Sequence, residues 1–212
     1  AAAPAARAAG RGGPATGQSA AETGAPELAV AYDGRTPPAL TATMIRDTDG
    51  KTTVRAVRVS APLRIDGQLD EALYRTVTPI SDFIQSEPNA GEPATERTEV
   101  WISFDDENVY ISMRASESQP KRMIVNEMRR DSGQVQQNEN FAIALDTFYD
   151  RRNSLNFQLN PIGGRQDGQN TNEGSSYNGD WNPIWNFAVR RSADGWTAET
   201  AIPFKSIRYR AG

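Results

Sequence analysis

The chain has 212 residues, of which 37% are hydrophobic and 24% are charged, with a formal net charge of −4 and neither cysteine nor histidine. The absence of these two residue types excludes disulfides, thiolate nucleophiles, histidine-based triads and the usual zinc ligands. The chain contains no run of about 18 apolar residues, so no membrane-spanning helix is predicted. Its net negative charge argues against nucleic acid as a partner. The function classes that remain are catalysis by carboxylates, binding of oxygen-ligated metals such as calcium, and ligand binding without catalysis.

The first part of the chain has the composition of a disordered segment. Ala, Gly and Pro make up 26 of residues 1–42, and no apolar periodicity runs through them. Such a segment buries too little apolar surface to offset the entropy of ordering. We therefore expect a disordered leader or linker over residues 1–53, as in an exported protein whose signal peptide has been removed or in a linker between domains.

The folded domain is expected over residues 54–212. Residues 100–104 and 109–115 alternate between apolar and polar side chains around the polar turn Asp105–Asn108, which predicts an antiparallel hairpin. Further strands are predicted at residues 54–59, 141–145, 155–159, 187–189 and 196–202, and one helical turn at residues 70–74. Many short strands without a long amphipathic helix predict an all-β fold, an antiparallel β-sandwich. Because the chain stops soon after its last predicted strand, we expect the domain to be truncated at its carboxyl end.

The segment from Gly163 to Asp180 breaks this pattern with five glycines and almost no apolar residue, and it predicts a long loop that is either functional or disordered. The aromatic and amide-rich stretch at its end supplies the predicted ligand-binding residues. These are Tyr177, Asp180, Trp181, Asn182 and Trp185. Indole faces stack on the C–H groups of sugar rings, while amides and carboxylates bind hydroxyl groups. The alternative is that both tryptophans are apolar anchors that hold the loop on the sandwich.

Carboxylates suggest a tentative calcium site at Asp146, Asp150 and Asp167, because calcium takes oxygen ligands from loops. Their spacing fits no EF-hand loop. The alternative is that these side chains stabilise turns and pair with Arg151 or Arg152.

A glycoside hydrolase would need two carboxyl groups about 5–10 Å apart. Glu139 and Glu199 are the pair that we considered, but Glu199 is expected on an exposed strand face or paired with arginine. Nothing in the sequence singles out an acid and a base, so we expect no enzyme.

Several runs of residues, in order along the chain, resemble the family 9 carbohydrate-binding module. They lie at residues 65–71, 98–101, 104–110, 141–146 and 195–204, and the resemblance covers about residues 60–210. It implies a β-sandwich, a glycan or oligosaccharide ligand and structural calcium. Sugar-binding members clamp a sugar between two aromatic rings. This chain has Gln136, Gln137 and Asn138 at one of these places, and the other lies beyond Gly212, so a site at Trp181 or Trp185 would be different.

A narrower resemblance is to the amino-terminal domain of large bacterial outer-membrane proteins, in which such a module precedes a predicted β-barrel. It rests on residues 146–148, 150–152 and 160–163 and on the Asp180–Trp185 signature. It implies an exported protein of the outer membrane or periplasm with a barrel downstream in the same polypeptide. Two hypotheses follow: a non-catalytic carbohydrate-binding module, or a structural or gating domain of the barrel that binds no sugar.

Overall fold

A computed structural model describes residues 43–48 and 51–209. Residues 1–42, 49 and 50 of the predicted leader lie outside this range. The strands, in chain order, are β1 (Met44–Arg46), β2 (Thr52–Val54), β3 (Val57–Arg58), β4 (Thr98–Phe104), β5 (Asn108–Ser116), β6 (Phe141–Leu145), β7 (Ser154–Leu159), β8 (Arg165–Thr171), β9 (Ser176–Asn178), β10 (Asn186–Arg191) and β11 (Gly195–Pro203). One helix, α1 (Ala72–Thr76), and three 3₁₀ helices at Pro120–Arg122, Gly133–Gln137 and Phe204–Ser206 complete the described elements.

Two larger sheets form the sandwich. The first sheet has the strand order β10-β11-β5-β4-β3, and the second has the order β6-β7-β8-β9. Within them, all neighbouring strands are antiparallel except β3 and β4. The predicted all-β sandwich is therefore confirmed. Over the described residues, no helix has the length and apolar character needed to span a bilayer.

The hairpin of β4 and β5 is confirmed, with Ile102 opposite Ile111. Its turn is closed by Asp105, whose Oδ1 accepts the backbone N–H groups of Glu107 and Asn108. An aspartate that binds the backbone two and three residues ahead stabilises a tight turn. This local chemistry explains why the hairpin could be predicted from a short stretch of sequence.

The prediction for the start of the domain needs two corrections. The expected strand at residues 54–59 is divided between β2 and β3, and β1 pairs with β2 inside the segment predicted as leader. Met44 of β1 packs against the apolar core. A short ordered hairpin thus precedes the predicted boundary because it finds apolar surface on the rest of the domain.

The predicted long loop at residues 163–180 is also wrong, because it contains β8 and β9. Strand β8 pairs with β7 over residues 165–170 and carries polar residues into buried positions, among them Gln166 and Asp167. Apolar periodicity cannot detect a strand whose buried side chains are polar and whose partners come from distant segments.

The apolar core lies between the two sheets. Its buried residues from the first sheet are Val100, Ile111, Met113, Trp196, Ala198 and Ile202. Those from the second sheet are Ile143, Phe157 and Leu159.

The other face of the first sheet is covered as well. Leu73 and Tyr74 of α1 pack on Trp101 of β4, and the Trp101 Nε1–H donates to the carbonyl oxygen of Val77 at 2.9 Å. The predicted helical turn is confirmed, but it begins at Ala72. Both faces of β4, β5 and β11 are therefore shielded from water.

Glu199 of β11 lies on this covered face and is fully buried, which corrects the expectation that it is exposed or paired with arginine. Its Oε2 accepts the backbone N–H groups of Asp66 and Gly67 at 3.0 and 2.7 Å, and its Oε1 accepts the Tyr74 hydroxyl at 2.8 Å. One carboxylate therefore fastens both the turn at Asp66–Gly67 and helix α1 to the sheet.

Burial raises the pKa of the Glu199 carboxyl above its ordinary value, against hydrogen bonds from Tyr74 and Gly67 that lower the pKa. The folded chain therefore binds a proton at Glu199 more readily than the unfolded chain does. The stability that this proton contributes is lost as the pH rises through the folded-state pKa.

We expect the free energy of unfolding of Glu199→Gln, which cannot ionise, to increase relative to that of the wild type as the pH is raised from about pH 4 to pH 7. Urea unfolding at several pH values measures this difference. Glu107→Gln, at an exposed glutamate, is the control and should follow the wild type. A difference for Glu199→Gln that stays constant across the range would contradict the prediction.

Candidate functional site

Trp185 is part of the apolar core. Its side chain is 5% exposed, and its ring lies 5.1 Å from that of Phe157 and 5.2 Å from that of Phe187, centroid to centroid. Its Nε1–H donates to Oδ2 of Asp167 at 3.1 Å. No open indole face is left for a sugar, so the prediction of Trp185 as a stacking platform is corrected, and the alternative of a buried anchor describes it.

Trp181 lies at the rim of the core and is only half-buried. Its ring meets Phe157 edge to face at 5.6 Å, and the same side chain lines a cleft of about 490 Å³. We call this the Trp181 cleft. It lies beside the β6–β7 loop and the 3₁₀ helix Phe204–Ser206. Its volume is within the range of about 300–1,000 Å³ that is typical of small-molecule sites.

The lining of the Trp181 cleft combines a second aromatic ring with polar groups. Phe148 in the β6–β7 loop is 42% exposed, and Asn170, Gln169 and Lys205 lie in the same lining. Asn170 pairs with Tyr177 of β9, so its side chain lies on the outer face of the second sheet, whereas Gln169 lies on the face towards the first sheet. The Gln169 Nε2 and the Lys205 ammonium donate no hydrogen bond to any described residue. Such groups are free to bind hydroxyls beside an aromatic surface. The sequence analysis missed Phe148, Gln169 and Lys205, and an exposed aromatic in a loop was the only local signal for any of them.

Tyr177 lies apart from this cleft, on the outer face of the second sheet. It is 48% exposed, and its ring covers Gly168 so closely that a Cβ there would lie 2.3 Å from the hydroxyl oxygen. Only glycine permits this approach. The hydroxyl donates to the Asp167 carbonyl at 3.2 Å. On the same sheet, the Gln158 amide donates to Oδ1 of Asn140 at 2.8 Å.

Asp180 and Asn182 occupy two further environments, and both are exposed. The backbone N–H of Asp180 donates to Oδ1 of Asn178 at 3.1 Å. The Asn182 side-chain oxygen accepts a hydrogen bond from the Arg130 guanidinium, which also pairs with Asp167 at 3.3 Å. The five predicted ligand residues therefore do not converge on one point. Arg130 carries no motif that could have identified its role from the sequence.

Asp167 is a buried structural carboxylate, 1% exposed, held by Trp185 and Arg130. Burial raises its pKa, while the Trp185 hydrogen bond and the Arg130 charge act in the opposite direction. In the strand register, Asp167 lies two strands and three positions from the row of Asp146, a distance of about 14 Å between backbones. Ligands of one calcium ion lie within about 5 Å of each other, so Asp167 cannot share an ion with Asp146.

Asp146 and Asp150 do lie in one loop. Asp146 accepts backbone N–H groups of its own loop, including that of Arg151 at 2.7 Å, and Asp150 accepts those of Arg152 and Asn153. These bonds match the alternative of turn-forming aspartates. Among the described residues, no group of three or more Asp, Glu, His or Cys side chains is arranged to hold a metal. Calcium at this loop stays a prediction.

The carboxylates considered for hydrolysis are on different layers. Glu199 lies on the face of the first sheet that α1 covers, whereas Glu139 lies two residues before β6 of the second sheet. Burial raises the pKa of Glu139, but the first sheet stands between the two groups. They do not form an acid–base pair.

The different environments of the two tryptophans predict different costs of truncation. We expect Trp185→Ala to lower the free energy of unfolding by about 3–5 kcal/mol, because it leaves a cavity and removes the Asp167 hydrogen bond. Trp181→Ala should lower the free energy of unfolding by about half as much or less, since one side of the Trp181 ring already faces the cleft. Chemical denaturation of both variants measures the difference. Equal losses would mean that Trp181 is also a core anchor.

Comparison with known proteins gives a likeness of fold. No family model matches this chain, and no curated protein matches its sequence. A family 9 carbohydrate-binding module from Caldicellulosiruptor kristjanssonii, in complex with glucose, matches with a TM-score of 0.51 at 16% identity, over 74% of this chain and 73% of that chain. A candidate carbohydrate-binding protein from Bacteroides uniformis ATCC 8492 matches with a TM-score of 0.50 at 9% identity, over 74% of this chain and 75% of that chain.

A family 9 module from Caldicellulosiruptor kristjanssonii in complex with cellotriose matches with a TM-score of 0.47 at 15% identity. That match covers 70% of this chain and 66% of the other chain, so this chain spans slightly less than two thirds of its length. At such identities the likeness establishes architecture. The domain has a β-sandwich fold like that of the family 9 carbohydrate-binding module.

Proposed function

We propose that this domain is a non-catalytic carbohydrate-binding module that binds a glycan in the Trp181 cleft. The observation that carries the proposal is the cleft itself, where a half-buried indole and an exposed phenyl ring lie beside free amide and ammonium groups. Support also comes from the fold, which is shared with a module in complex with glucose.

The chemistry of the cleft suits a sugar ring. The C–H groups of a pyranose pack against the indole of Trp181, and the ring's hydroxyls find donors in Lys205 and Gln169. The aromatic clamp of family 9 has no counterpart before β6. Gln136 and Gln137 there are exposed, and Asn138 is buried with its Oδ1 accepting the backbone N–H of Asn126 at 2.7 Å. The binding mode that we propose is therefore specific to this chain.

The broader setting is part of the same proposal. We infer a binding domain without catalytic activity, on an exported protein of the outer membrane or periplasm, followed by a barrel in the same polypeptide. The support for export and for the barrel is the resemblance of residues 146–148, 150–152, 160–163 and 180–185 to such proteins. Calcium in the Asp146–Asp150 loop would act structurally, by stiffening the loop that carries Phe148.

A second candidate function is a structural or gating domain of the barrel. Ile184 favours it, because this side chain is 75% exposed and its carbonyl accepts a hydrogen bond from Ser206 of the cleft lining. Together with Phe148, which is also exposed at this cleft, Ile184 forms an apolar surface that suits contact with another protein. We call this second candidate the docking function. A test of sugar binding distinguishes the two functions, because a domain that only docks on the barrel needs no glycan.

Trp181→Ala should lower the affinity for a neutral oligosaccharide such as cellotriose by about tenfold or more. Loss of one stacked ring removes about 1.4 kcal/mol or more of binding free energy. Calorimetric titration of the whole chain measures the affinity, with melting temperatures to confirm that the variant is folded. Phe83→Ala, which removes an exposed aromatic outside the cleft, is the control and should bind as the wild type does.

Tyr177→Ala tests the other aromatic surface in the same experiment. Loss of binding in Tyr177→Ala alone would move the site to the outer face of the second sheet. Absence of binding by the wild type across a panel of neutral oligosaccharides would contradict the proposal and favour the docking function.

A further inference from the structure

A second cleft, of about 340 Å³, lies on the outer face of the first sheet between the turn Gly67–Leu69 and the ends of β5, β10 and β11. We call it the arginine cleft. Its lining includes Arg114, Arg190 and Arg191, with Asp194 as the one acidic residue among the described residues that line it. In a chain whose net charge is −4, this is a local concentration of positive charge.

Two of these arginines are placed by the strand register. Arg190 of β10 pairs with Thr197 of β11, and Thr197 pairs with Arg114 of β5. Residues in one such row point to the same face of a sheet, and two strand spacings separate the outer pair by about 10 Å between backbones. The two side chains therefore start from strands on either side of Thr197, and the Arg114 guanidinium contacts Glu99 and Trp101 of β4.

The wall of the cleft is built rigidly. The Thr197 hydroxyl donates to the Gly67 carbonyl at 2.7 Å, and the Gly67 N–H donates to the buried Glu199 at 2.7 Å. Gly67 has a φ of +80°, and a Cβ there would lie 3.0 Å from the backbone carbon of Val189. Only glycine allows this turn to lie so close to β10. The cleft is thus formed before any ligand arrives.

The positive charge is not neutralised by the carboxylates around it. Arg190 and Arg191 form no ion pair with any described carboxylate. Glu99 pairs with Arg114 at 3.2 Å but also with Arg97 at 2.6 Å, so one carboxylate serves two guanidinium groups. Arg114 is further held over the Trp101 ring at 5.4 Å.

Two further acids lie at or beside the cleft. Asp66 pairs with Arg64 at 2.7 Å. Asp194 accepts the Ser192 hydroxyl at 2.7 Å and keeps its charge, so the described lining of the cleft holds three arginines against one aspartate. Arg190 forms no ion pair with a described carboxylate, and a guanidinium of this kind beside a rigid wall binds an oxyanion, because its planar fork matches a carboxylate with two parallel hydrogen bonds.

We propose that the arginine cleft binds the carboxylate-bearing ring of an acidic sugar. Arg190 holds the carboxylate, Arg114 adds positive charge at the opposite side of the cleft, and the side chains of Gln68 and Ser116 in the same lining bind the ring hydroxyls. The anionic character of the ligand follows from the cleft alone. The choice of a sugar as its carrier rests on the proposed function.

Calorimetric titration of the whole chain with glucuronate, glucose and inorganic phosphate tests this site. We expect glucuronate to bind more tightly than glucose, and its affinity to fall as salt is raised. Arg190→Gln should weaken glucuronate binding by about tenfold or more, which is the loss expected for one bidentate charge pair. Arg114→Gln should weaken it less, because the Arg114 guanidinium already pairs with Glu99. Arg55→Gln, at an exposed arginine outside the cleft, should leave it unchanged.

Three results would overturn the site: glucuronate affinity that neither arginine variant alters, binding of phosphate without glucuronate, or loss of glucuronate binding in Trp181→Ala. The Arg190→Gln variant keeps the test valid if Arg114→Gln unfolds, because Arg190 makes no ion pair with a described carboxylate. The proposal for the Trp181 cleft is tested separately, by the binding of neutral oligosaccharides. If Trp181→Ala still binds glucuronate, the arginine cleft is supported whether or not neutral oligosaccharides bind to the Trp181 cleft.

Discussion

The structure depends on the need to cover both faces of the five-stranded sheet. Seven of the nine residues of β11 are buried, and they lie on both of its faces. A sheet of this kind is stable only when each face has its own apolar or hydrogen-bonded cover. The second sheet supplies one cover. Helix α1 supplies the other, and the Glu199 carboxylate holds α1 and the turn before it in place.

Each cover creates one of the two clefts. Where the second sheet meets the first, Phe157 and Trp185 fill the space between them, and Trp181 is left at the rim with one side of its ring free. On the opposite face, the turn at Gly67 approaches β10 closely and forms a wall beside Arg190. Both sites are therefore consequences of how the central sheet is shielded, which makes them rigid surfaces.

Sequence analysis succeeded where the determining contacts are local. The β4–β5 hairpin needs only alternation and the turn made by Asp105, and all of that lies within twenty consecutive residues. It failed at β8, because Asp167 is buried among partners more than fifteen residues away. It also failed at Glu199, because the alternation of apolar and polar residues in β11 was taken to mean that one face of the strand is buried and the other is exposed to solvent. The donors that satisfy Glu199 lie more than 120 positions earlier in the chain.

The candidate site shows the same division. The sequence by itself determined that the chain folds as an all-β sandwich, that it contains neither cysteine nor histidine, and that aromatic and amide residues are concentrated at residues 177–185. The tertiary structure alone decided that Trp185 is an anchor while Trp181 is available to a ligand, and that Arg114 and Arg190 share a cleft. The physical reason is that burial and charge compensation depend on which residues from distant parts of the chain pack together. A local sequence pattern contains no information about those contacts.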